Sequence, residues 1–312
     1  MVDQELFKYS SDVATALEAN KPVVALESTV IAHGLPQPRN VETAFRLEQI
    51  VKAAGATPAT IAILDGKFCV GLNEDQVRFI AGDNEIKKVS IRDLPIAIAK
   101  GWNGATTVAS TSWIAYRAGI KLFATGGIGG VHRGLLSDVS SDLPALASTP
   151  IVVVCSGAKI VLDLAATREW LETYGVTVVG YQCDEMPGFY SRGSGLPVDA
   201  RADSPDEVVQ LFLTQQSLGV KSALLVTVPV PDKYEIPAAE LNTVLDKALQ
   251  EAEHQNVVGR KLTPFLLSRM AQESQGATLT TNIALLENNA RIAAQIATSF
   301  FTWTNSHAEA WL

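Results

Sequence analysis

The sequence predicts a three-layer α/β/α sandwich with a helical C-terminal part, and three observations lead to this fold class. Short β-branched runs recur between Pro22 and Val228, and they are apolar throughout rather than alternating in polarity, as in strands covered on both faces. Segments with helical spacing lie between these runs, and a regular alternation of strand and helix indicates a layered fold. From about Pro237 onward the pattern is helical only.

The strands and helices are predicted in order along the chain. The strands are 22–26, 60–64, 121–125, 151–155, 176–181 and 223–228. Helix boundaries follow from capping residues, with Ser, Thr or Asn before the first turn and Gly after the last. The starts are Asn40, Ser110 or Thr111, and Ser204; the first two helices end at Gly55 and Gly119, and the C-terminal helices are 238–255, 264–273 and 280–300. Neither a repeat nor a linker interrupts this order, which predicts a single domain over residues 1–312.

The composition favours a globular protein and argues against two classes of partner. Hydrophobic residues make up 47% of the chain and charged residues 19%, which leaves ample apolar surface for a core. The net charge of −8 repels phosphate backbones, so we expect no nucleic-acid partner. The sequence shows neither a membrane span nor a signal peptide, and its three cysteines are widely spaced. We therefore expect a cytoplasmic protein without membrane contact.

A carboxylate stands at the end of the first predicted strand. Glu27 follows the apolar run 23–26 and precedes Ser28-Thr29 and His33-Gly34. Ligands of open α/β sheets bind at the carboxyl ends of the strands. A carboxyl group buried there has a raised pKa, which suits a general acid near neutral pH. The alternative is a glutamate at a solvent-exposed strand end.

A glycine-rich stretch follows the third predicted strand. Residues 124–134 read ATGGIGGVHRG, and five of these eleven residues are glycine. Such a backbone can approach a ligand closely, and His132 and Arg133 add donors suited to a phosphate. The stretch matches neither the dinucleotide fingerprint nor a P-loop. The alternative is a tight structural turn with a satisfied histidine.

A lysine follows the fourth predicted strand. Lys159 comes after the run VVVCSGA and is predicted to lie in the first turn of a helix. A helix N-terminus and apolar surroundings both disfavour an ammonium ion, and an imine-forming lysine must be neutral. The alternative is a lysine whose ammonium group extends into solvent.

Two further groups are candidates for phosphate and metal binding. Residues 87–93 and 103–107 carry cations and hydroxyls that suit a phosphate, although a solvated charged turn is the alternative. Asp138, Ser140, Ser141 and Asp142 form a cluster that can hold Mn²⁺ or Mg²⁺ through one carboxylate and waters. A helix cap at Ser140 or Ser141 is equally compatible with this pattern.

Together and in this order, these stretches resemble the pseudouridine-5′-phosphate glycosidase family, also called the indigoidine synthase A-like family. The resemblance runs from about residue 12 to about residue 295. The matching stretches are 23–34 (VVALESTVIAHG), 55–64 (GATPATIAIL), 88–95 (KVSIRDLP), 103–111 (NGATTVAST), 123–134 (FATGGIGGVHRG), 154–159 (VCSGAK) and 263–267 (TPFLL).

The resemblance implies an activity and a role for each matching residue. The family reversibly cleaves the C–C glycosidic bond of pseudouridine 5′-phosphate to uracil and ribose 5-phosphate, uses a divalent cation such as Mn²⁺, and forms homotrimers. Its nucleophilic lysine corresponds to Lys159 and its proton-donating glutamate to Glu27. The resemblance also implies a metal-bearing Asp138 and a set of substrate-binding and other active-site positions: Lys88, Thr107, Val108, Thr125, His132, Ser140, Ser141, Asp142 and Asn282.

Two stretches depart from the family pattern. The loop 135–137 before Asp138 is shorter and less polar than in the family, and Gly188 and Tyr190 replace an expected alanine and phenylalanine. Both changes bear on the wall that would bind the base. A C-ribosyl synthase, which joins ribose 5-phosphate to an aromatic acceptor, is therefore the second hypothesis.

Overall fold

The computed structural model describes residues 4–133, 138–257 and 262–306. A sheet of 11 strands runs through this part of the chain in the order β1-β4-β3-β2-β7-β9-β13-β11-β12, with β6 pairing β3 and β5 pairing β6, while β8 and β10 form a separate pair. The strands are β1 Phe7–Tyr9, β2 Val23–Glu27, β3 Thr57–Leu64, β4 Lys67–Val70, β5 Lys87–Val89, β6 Gly104–Thr106, β7 Leu122–Ala124, β8 Val131–His132, β9 Val152–Cys155, β10 Leu162–Asp163, β11 Thr177–Tyr181, β12 Ala200–Ala202 and β13 Leu224–Thr227.

Helices connect and cover these strands. They are α1 Ser11–Glu18, α2 Arg39–Ala53, α3 Glu74–Gly82, α4 Leu94–Ala99, α5 Val108–Arg117, α6 Asp142–Leu146, α7 Leu164–Thr173, α8 Pro205–Ser217, α9 Ala238–His254, α10 Leu262–Glu273 and α11 Ala277–Ser306. A single π-helical turn, Val30–Gly34, follows β2.

The centre of the sheet is parallel and covered on both faces. Every residue of β2, β9 and β13 is buried, and because successive side chains of a strand point to opposite faces, both faces must be covered. The C-terminal helix α11 packs on α2 and α8 and contacts β2, β7 and β9. Elsewhere α5 packs on α6 and contacts β2, β3 and β7. The predicted α/β sandwich with a helical C-terminal part is confirmed.

The six predicted strands are all present as β2, β3, β7, β9, β11 and β13, with ends shifted by up to three residues. The prediction missed the other seven strands of the described residues, among them β4, which pairs antiparallel with β3. Asp65 and Gly66 form the turn between these two strands with φ angles of 49° and 67°. Asp-Gly between two apolar runs is a strong hairpin signal, so this strand was readable from the sequence.

The cap predicted at Asn40 is wrong, although the helix itself is present. Pro38 occupies the N-cap position of α2, one residue before the helix begins. The Asn40 side chain lies inside the first turn and donates to the carbonyls of Ile31 at 3.0 Å and Ala81 at 3.1 Å. It therefore ties α2 to the turn after β2 and to α3. Gly55 follows the helix with a φ of 86°, as predicted.

Two other helix starts differ in outcome. Thr107, rather than Ser110 or Thr111, precedes α5, and Ser110 completes a capping box with it. The prediction placed this start too late because the box residue was taken for the cap. Ser204 caps α8 as predicted, since its side chain accepts a hydrogen bond from the amide of Glu207 at 3.3 Å.

The C-terminal helices are built into the same core as the strands. One cluster of buried hydrophobic side chains extends from Phe7 to Ala297 and includes residues of α9, α10 and α11. The single domain over residues 1–312 stays a prediction, which this continuous cluster supports. In the part of the chain that the structure describes, no helix combines the length and the apolar character that a membrane span needs.

Candidate active site

The carboxyl ends of the central strands surround a cavity of about 390 Å³. In the sheet, β2, β7 and β9 are consecutive parallel neighbours, so the chain segments that follow them meet at one edge. Most of the predicted site residues line this cavity: Glu27, Lys88, Thr107, Val108, His132, Asp138, Ser140, Ser141, Asp142 and Lys159. Residues far apart in sequence thus form one site.

A smaller compartment of about 50 Å³ adjoins the cavity. Glu27, Lys88 and Lys159 line both spaces, which places these three groups at the junction. Asn282 of α11 and the ring of Phe189 contribute to the walls of the smaller space, and its remaining lining is largely apolar. One compartment is therefore rich in hydroxyls and charges, and the other suits a flat, partly apolar group.

Glu27 is a buried acid and not an exposed strand end. Its side chain is 7% exposed, and the hydroxyl of Thr125 donates a hydrogen bond to its carboxylate. Burial raises the pKa of Glu27, while the Lys159 ammonium, the Thr125 hydrogen bond and Lys88 oppose the rise, and Asp142 adds to it. A raised pKa keeps a carboxyl group available as a proton donor closer to neutral pH.

Hydroxyl side chains fix the end of β2 beside Glu27. Ser28 donates to the carbonyl of Ile61 in β3 at 2.7 Å and accepts from the amide of Thr106 at 2.8 Å. Thr29 donates to the carbonyl of Thr106 at 2.8 Å. Two neighbouring segments therefore hold the backbone on which Glu27 stands, and the residue has little freedom to move away from the cavity.

Lys159 lies in the cavity wall, but the helix predicted around it is absent. The chain after β9 pairs with the glycine-rich stretch, where the amide of Lys159 donates to the carbonyl of Ile128 at 3.1 Å. Gly157 makes this course possible, since its φ is 82° and a Cβ there would lie 2.2 Å from the carbonyl oxygen of Pro187. The next helix, α7, begins at Leu164 with Asp163 as its cap. The prediction failed because a strand followed by Ser-Gly resembles a helix start.

The glycines of the stretch 124–134 approach other protein segments. A Cβ at Gly127 would lie 2.6 Å from the Phe189 ring, and one at Gly130 would lie 2.3 Å from the Thr167 hydroxyl. The amide of Gly129 donates to Asp142 at 2.8 Å. These close approaches require glycine at the three positions, while Gly126, Gly127 and Gly129 also line the two compartments.

His132 and Arg133, the two residues of the stretch that can carry a positive charge, have different surroundings. His132 lines the cavity. The guanidinium of Arg133 instead donates to the backbone carbonyls of Leu162 at 3.1 Å and Ile160 at 3.4 Å, which ties the stretch to the segment after Lys159. The expectation that Arg133 faces a phosphate is not supported by this geometry.

Asp142 organises the loops around the cavity. One of its carboxylate oxygens accepts from the amide of Ala109 at 2.9 Å, and the other accepts from Gly129. Ser141 occupies the N-cap position of α6, but its hydroxyl is hydrogen-bonded to Ser90 at 2.6 Å and makes no capping bond. The hydroxyl of Ser141 therefore joins two sides of the cavity instead of capping the helix.

The donors around Asp138 fit an open site for a hard cation. Asp138 is half-buried in the cavity wall with Ser140 and Ser141 beside it. Among the residues that the structure describes, no group of three or more His, Cys, Asp and Glu side chains is placed to hold a metal. The set fits Mn²⁺ or Mg²⁺ held by one carboxylate, hydroxyls and water, and it does not fit a closed cage such as structural zinc.

Arg92 lines the larger compartment and lies in the stretch 87–93, which was predicted to suit a phosphate. His33 and Thr263 line one or both compartments and were not predicted as site residues, although both lie in matching stretches, so the resemblance gave a signal for them. Phe189 gave none, because its role depends on a backbone turn. Its φ is 69°, a region that costs a bulky residue about 1–3 kcal/mol and that the surroundings must enforce. The short loop 135–137 lies outside the described residues.

Comparison with known proteins identifies the family. The family model described as indigoidine synthase A like protein matches residues 12–299, which is most of the chain. This chain belongs to the indigoidine synthase A-like family. The Glu27–Lys159 cavity is therefore a feature of a member of this family, and the resemblance carried by the sequence stretches is confirmed.

Relatives within the family carry names that describe an activity. Pseudouridine-5′-phosphate glycosidase of Caldanaerobacter subterraneus subsp. tengcongensis is 49% identical over 290 residues, which is 92% of this chain and 94% of the relative. The protein of the same name from Escherichia coli K12 is 46% identical, with 96% and 97% covered. The prealnumycin C-glycosynthase AlnA, solved in complex with ribulose 5-phosphate, superposes with a TM-score of 0.90 at 37% identity, covering 97% of this chain and 99% of that one.

Proposed function

We propose that this protein reversibly cleaves the C–C glycosidic bond of pseudouridine 5′-phosphate, giving uracil and ribose 5-phosphate. The observation that carries the proposal is the placement of Glu27 and Lys159 at the junction of a polar and a largely apolar compartment. The polar side suits a ribose phosphate and the other side suits a planar base. The names of the relatives support the same substrate.

The reaction needs an amine and an acid because its leaving group is carbon. Expulsion of uracil as a C5 carbanion would be far harder than expulsion of an oxygen or nitrogen group. The amine of Lys159 attacks C1′, the C1′–O4′ bond breaks as O4′ takes a proton, and the open-chain sugar is left bound to the lysine as an amine that still carries uracil. When the C1′–C5 bond breaks, its electron pair leaves with C5 and the lone pair of the lysine nitrogen forms the C1′=N bond of an iminium ion, which is covalent catalysis by an amine. Water then hydrolyses the imine, so that one water is consumed and ribose 5-phosphate is released.

Glu27 supplies the proton that the base requires. As the C1′–C5 bond breaks, the protonated carboxyl group of Glu27 transfers its proton to C5 of uracil. Its burial and its position beside Lys159 suit this role, because burial raises its pKa and the lysine lies across the same junction. In the synthetic direction the carboxylate removes the same proton, as microscopic reversibility demands.

The remaining predicted site residues are proposed to bind the substrate. Lys88 and the hydroxyls of Ser140 and Ser141 line the polar compartment and suit the phosphate and the sugar hydroxyls. Asp138 would hold Mn²⁺, which when bound would supply positive charge that suits a phosphorylated substrate. The remaining proposed contacts are Thr107, Val108, Thr125, His132, Asp142 and Asn282.

A C-ribosyl synthase is the second candidate. One observation favours it: the wall of the smaller compartment includes Phe189, which lies between the departing positions Gly188 and Tyr190. The structural neighbour AlnA is a C-glycosynthase by name. A larger aromatic acceptor would occupy the smaller compartment in place of uracil.

We also propose that the protein is a cytoplasmic homotrimer, as the resemblance implies.

The deciding experiment follows uracil and ribose 5-phosphate formed from pseudouridine 5′-phosphate and Mn²⁺, with Lys159→Ala in parallel. We expect turnover by the wild type and a loss of at least about 10⁴-fold in the variant, because the nucleophile is removed. Borohydride should trap ribose 5-phosphate on the wild type only. Folded wild-type protein that releases no uracil would contradict the proposal, and turnover with an aromatic acceptor instead would favour the synthase.

A further inference from the structure

A wholly buried amide of the C-terminal helix joins the segments that carry the proposed chemistry. Asn289 of α11 is 0% exposed. Its Nδ2 donates to the carbonyl of Thr125 at 2.9 Å, lies 3.4 Å from the carbonyl of Gly126, and lies 3.1 Å from the hydroxyl of Ser156. Thr125 and Gly126 follow β7, and Ser156 follows β9. One side chain therefore contacts the ends of two neighbouring strands.

Backbone hydrogen bonds also join the two strand ends that Asn289 contacts. The amide of Ser156 donates to Gly126 at 2.9 Å, and the amide of Thr125 donates to Val154 at 3.0 Å. The ends of β7 and β9 are thus fixed to each other as well as to α11. Buried polar groups in such a network are costly to leave unpaired, so the arrangement holds one geometry.

Thr125 connects Asn289 to Glu27. While Asn289 holds the main-chain carbonyl of Thr125, the hydroxyl of the same residue donates to Glu27. We propose that Asn289 is a positioning residue, which fixes Thr125 so that its hydroxyl stays on the Glu27 carboxyl group. The expected effect of Asn289 on turnover rests on the proposed function. Its expected effect on the pKa of Glu27 rests only on the hydrogen bonds through Thr125.

The test compares Asn289→Ala with Asn288→Ala, a matched control on the same helix. The side chain of Asn288 contacts the carbonyl of Pro229 and accepts a hydrogen bond from Arg291, and it does not line either compartment. With pseudouridine 5′-phosphate, Asn289→Ala should lower kcat about 10- to 100-fold and change KM little, as expected when a catalytic group is misplaced. Asn288→Ala should stay within about twofold of the wild type.

The pH profile separates positioning from simple destabilisation. Burial raises the pKa of Glu27, and the Thr125 hydrogen bond is among the contacts that oppose the rise. Loss of that bond raises the pKa further, so the basic limb of the kcat profile, where a proton donor ionises, should move to higher pH. Thr125→Val should give the same shift, and the double variant should be no slower than the slower single variant. Effects on kcat that multiply would overturn the proposal.

A measurement without substrate distinguishes this proposal from the proposed function. Titration of the ¹³C-labelled Glu27 carboxyl by NMR should show a higher pKa in Asn289→Ala than in Asn288→Ala, whether or not the protein cleaves pseudouridine 5′-phosphate. An unchanged titration with a lowered melting temperature would overturn the proposal and leave Asn289 as a structural residue. If Asn289→Ala does not fold, Asn289→Ser, which keeps one short hydroxyl donor, should give a smaller shift of the same sign.

Discussion

Glu27 and Glu48 have similar immediate contacts. Burial raises the pKa of both acids, and each accepts a hydrogen bond from a threonine hydroxyl, Thr125 for Glu27 and Thr60 for Glu48. The Thr60 bond measures 2.6 Å. Both glutamates also lie beside cavities at the surface of the sheet. By residue type, hydrogen-bond partner and direction of the pKa shift, the two acids are hard to tell apart.

Their charged neighbours differ. The strongest opposing charge at Glu27 comes from Lys159, which is 132 residues away in sequence and is delivered by a different strand. At Glu48 it comes from Lys52, one turn further along the same helix α2, and Glu74 adds a like charge. An acid with a raised pKa is therefore common to both places. What distinguishes the candidate site is an amine brought to it by the topology of the sheet.

The largest expected effect tests this distinction with paired substitutions. Glu27→Gln should lower kcat for pseudouridine 5′-phosphate cleavage by about 10²- to 10⁴-fold, because a general acid is lost and its shape is kept. Glu48→Gln should stay within about twofold of the wild type. Uracil release at saturating substrate measures both, with the melting temperature of each variant as the check on folding.

Equal losses of kcat in Glu27→Gln and Glu48→Gln would contradict this distinction between the two acids. If Glu48→Gln slowed turnover as much as Glu27→Gln while both remained folded, the position of an acid beside Lys159 would not be what matters. Retention of full activity by Glu27→Gln would remove Glu27 as the proton donor. His132 and Lys88, which also line the cavity, would then be the groups to substitute next.

A pair of glycines extends the comparison to the backbone. At Gly129 a Cβ would lie 2.2 Å from the Ser140 hydroxyl and 2.7 Å from a carboxylate oxygen of Asp142, whereas a Cβ at Gly82 meets nothing within 4 Å. Gly129→Ala should displace the loop with Ser140 and Asp142 and raise KM about tenfold or more, since small misplacements of binding groups are costly. Gly82→Ala, at the end of α3, should leave KM unchanged.

Steady-state kinetics with pseudouridine 5′-phosphate measures this difference. An unchanged KM in folded Gly129→Ala would mean that Ser140 and Asp142 do not contact the substrate. A raised KM in Gly82→Ala would mean that KM also responds to substitutions far from the cavity. The KM of Gly129→Ala would then say nothing specific about Ser140 and Asp142.

The sequence predicted which residues meet in the cavity better than how the chain delivers them. Glu27 was placed at a strand end, where β2 does end. Lys159 was expected on a helix, yet it lies on a segment whose course depends on Gly157 and the carbonyl of Pro187. That contact joins residues 30 apart in sequence, and a local pattern does not contain it.

Buried polar contacts across the fold were the hardest to foresee. Asn289 reads in the sequence as a polar residue of an amphipathic helix, and its three contacts lie more than 130 residues away along the chain. Asn40 was assigned to a cap because asparagine commonly caps helices, but two distant carbonyls occupy its amide. Local propensity identified these residues as polar and helical, and only the packing of the sheet shows what they bind.

The smallest expected effect concerns stability. Because burial raises the pKa of Glu27, the folded protein binds its proton more tightly than the unfolded chain does. The favourable contribution is complete below the ordinary glutamate value of 4.5 and is lost as pH rises through the raised pKa of the folded state. Each unit of rise corresponds to about 1.4 kcal/mol. Glu27→Gln removes this dependence, so the variant should gain in free energy of unfolding relative to the wild type as pH increases from 4.5.

Urea unfolding of both glutamine variants between pH 4.5 and pH 8 measures the gain. Glu48→Gln should show the same sign with a smaller size, since Glu48 is half-buried and Glu27 is nearly inaccessible. A difference that stays constant with pH for Glu27→Gln would mean that the carboxyl group titrates alike in both states. Equal gains in the two variants would mean that the charges of Lys159 and Lys88 stabilise ionised Glu27 enough to offset its deeper burial.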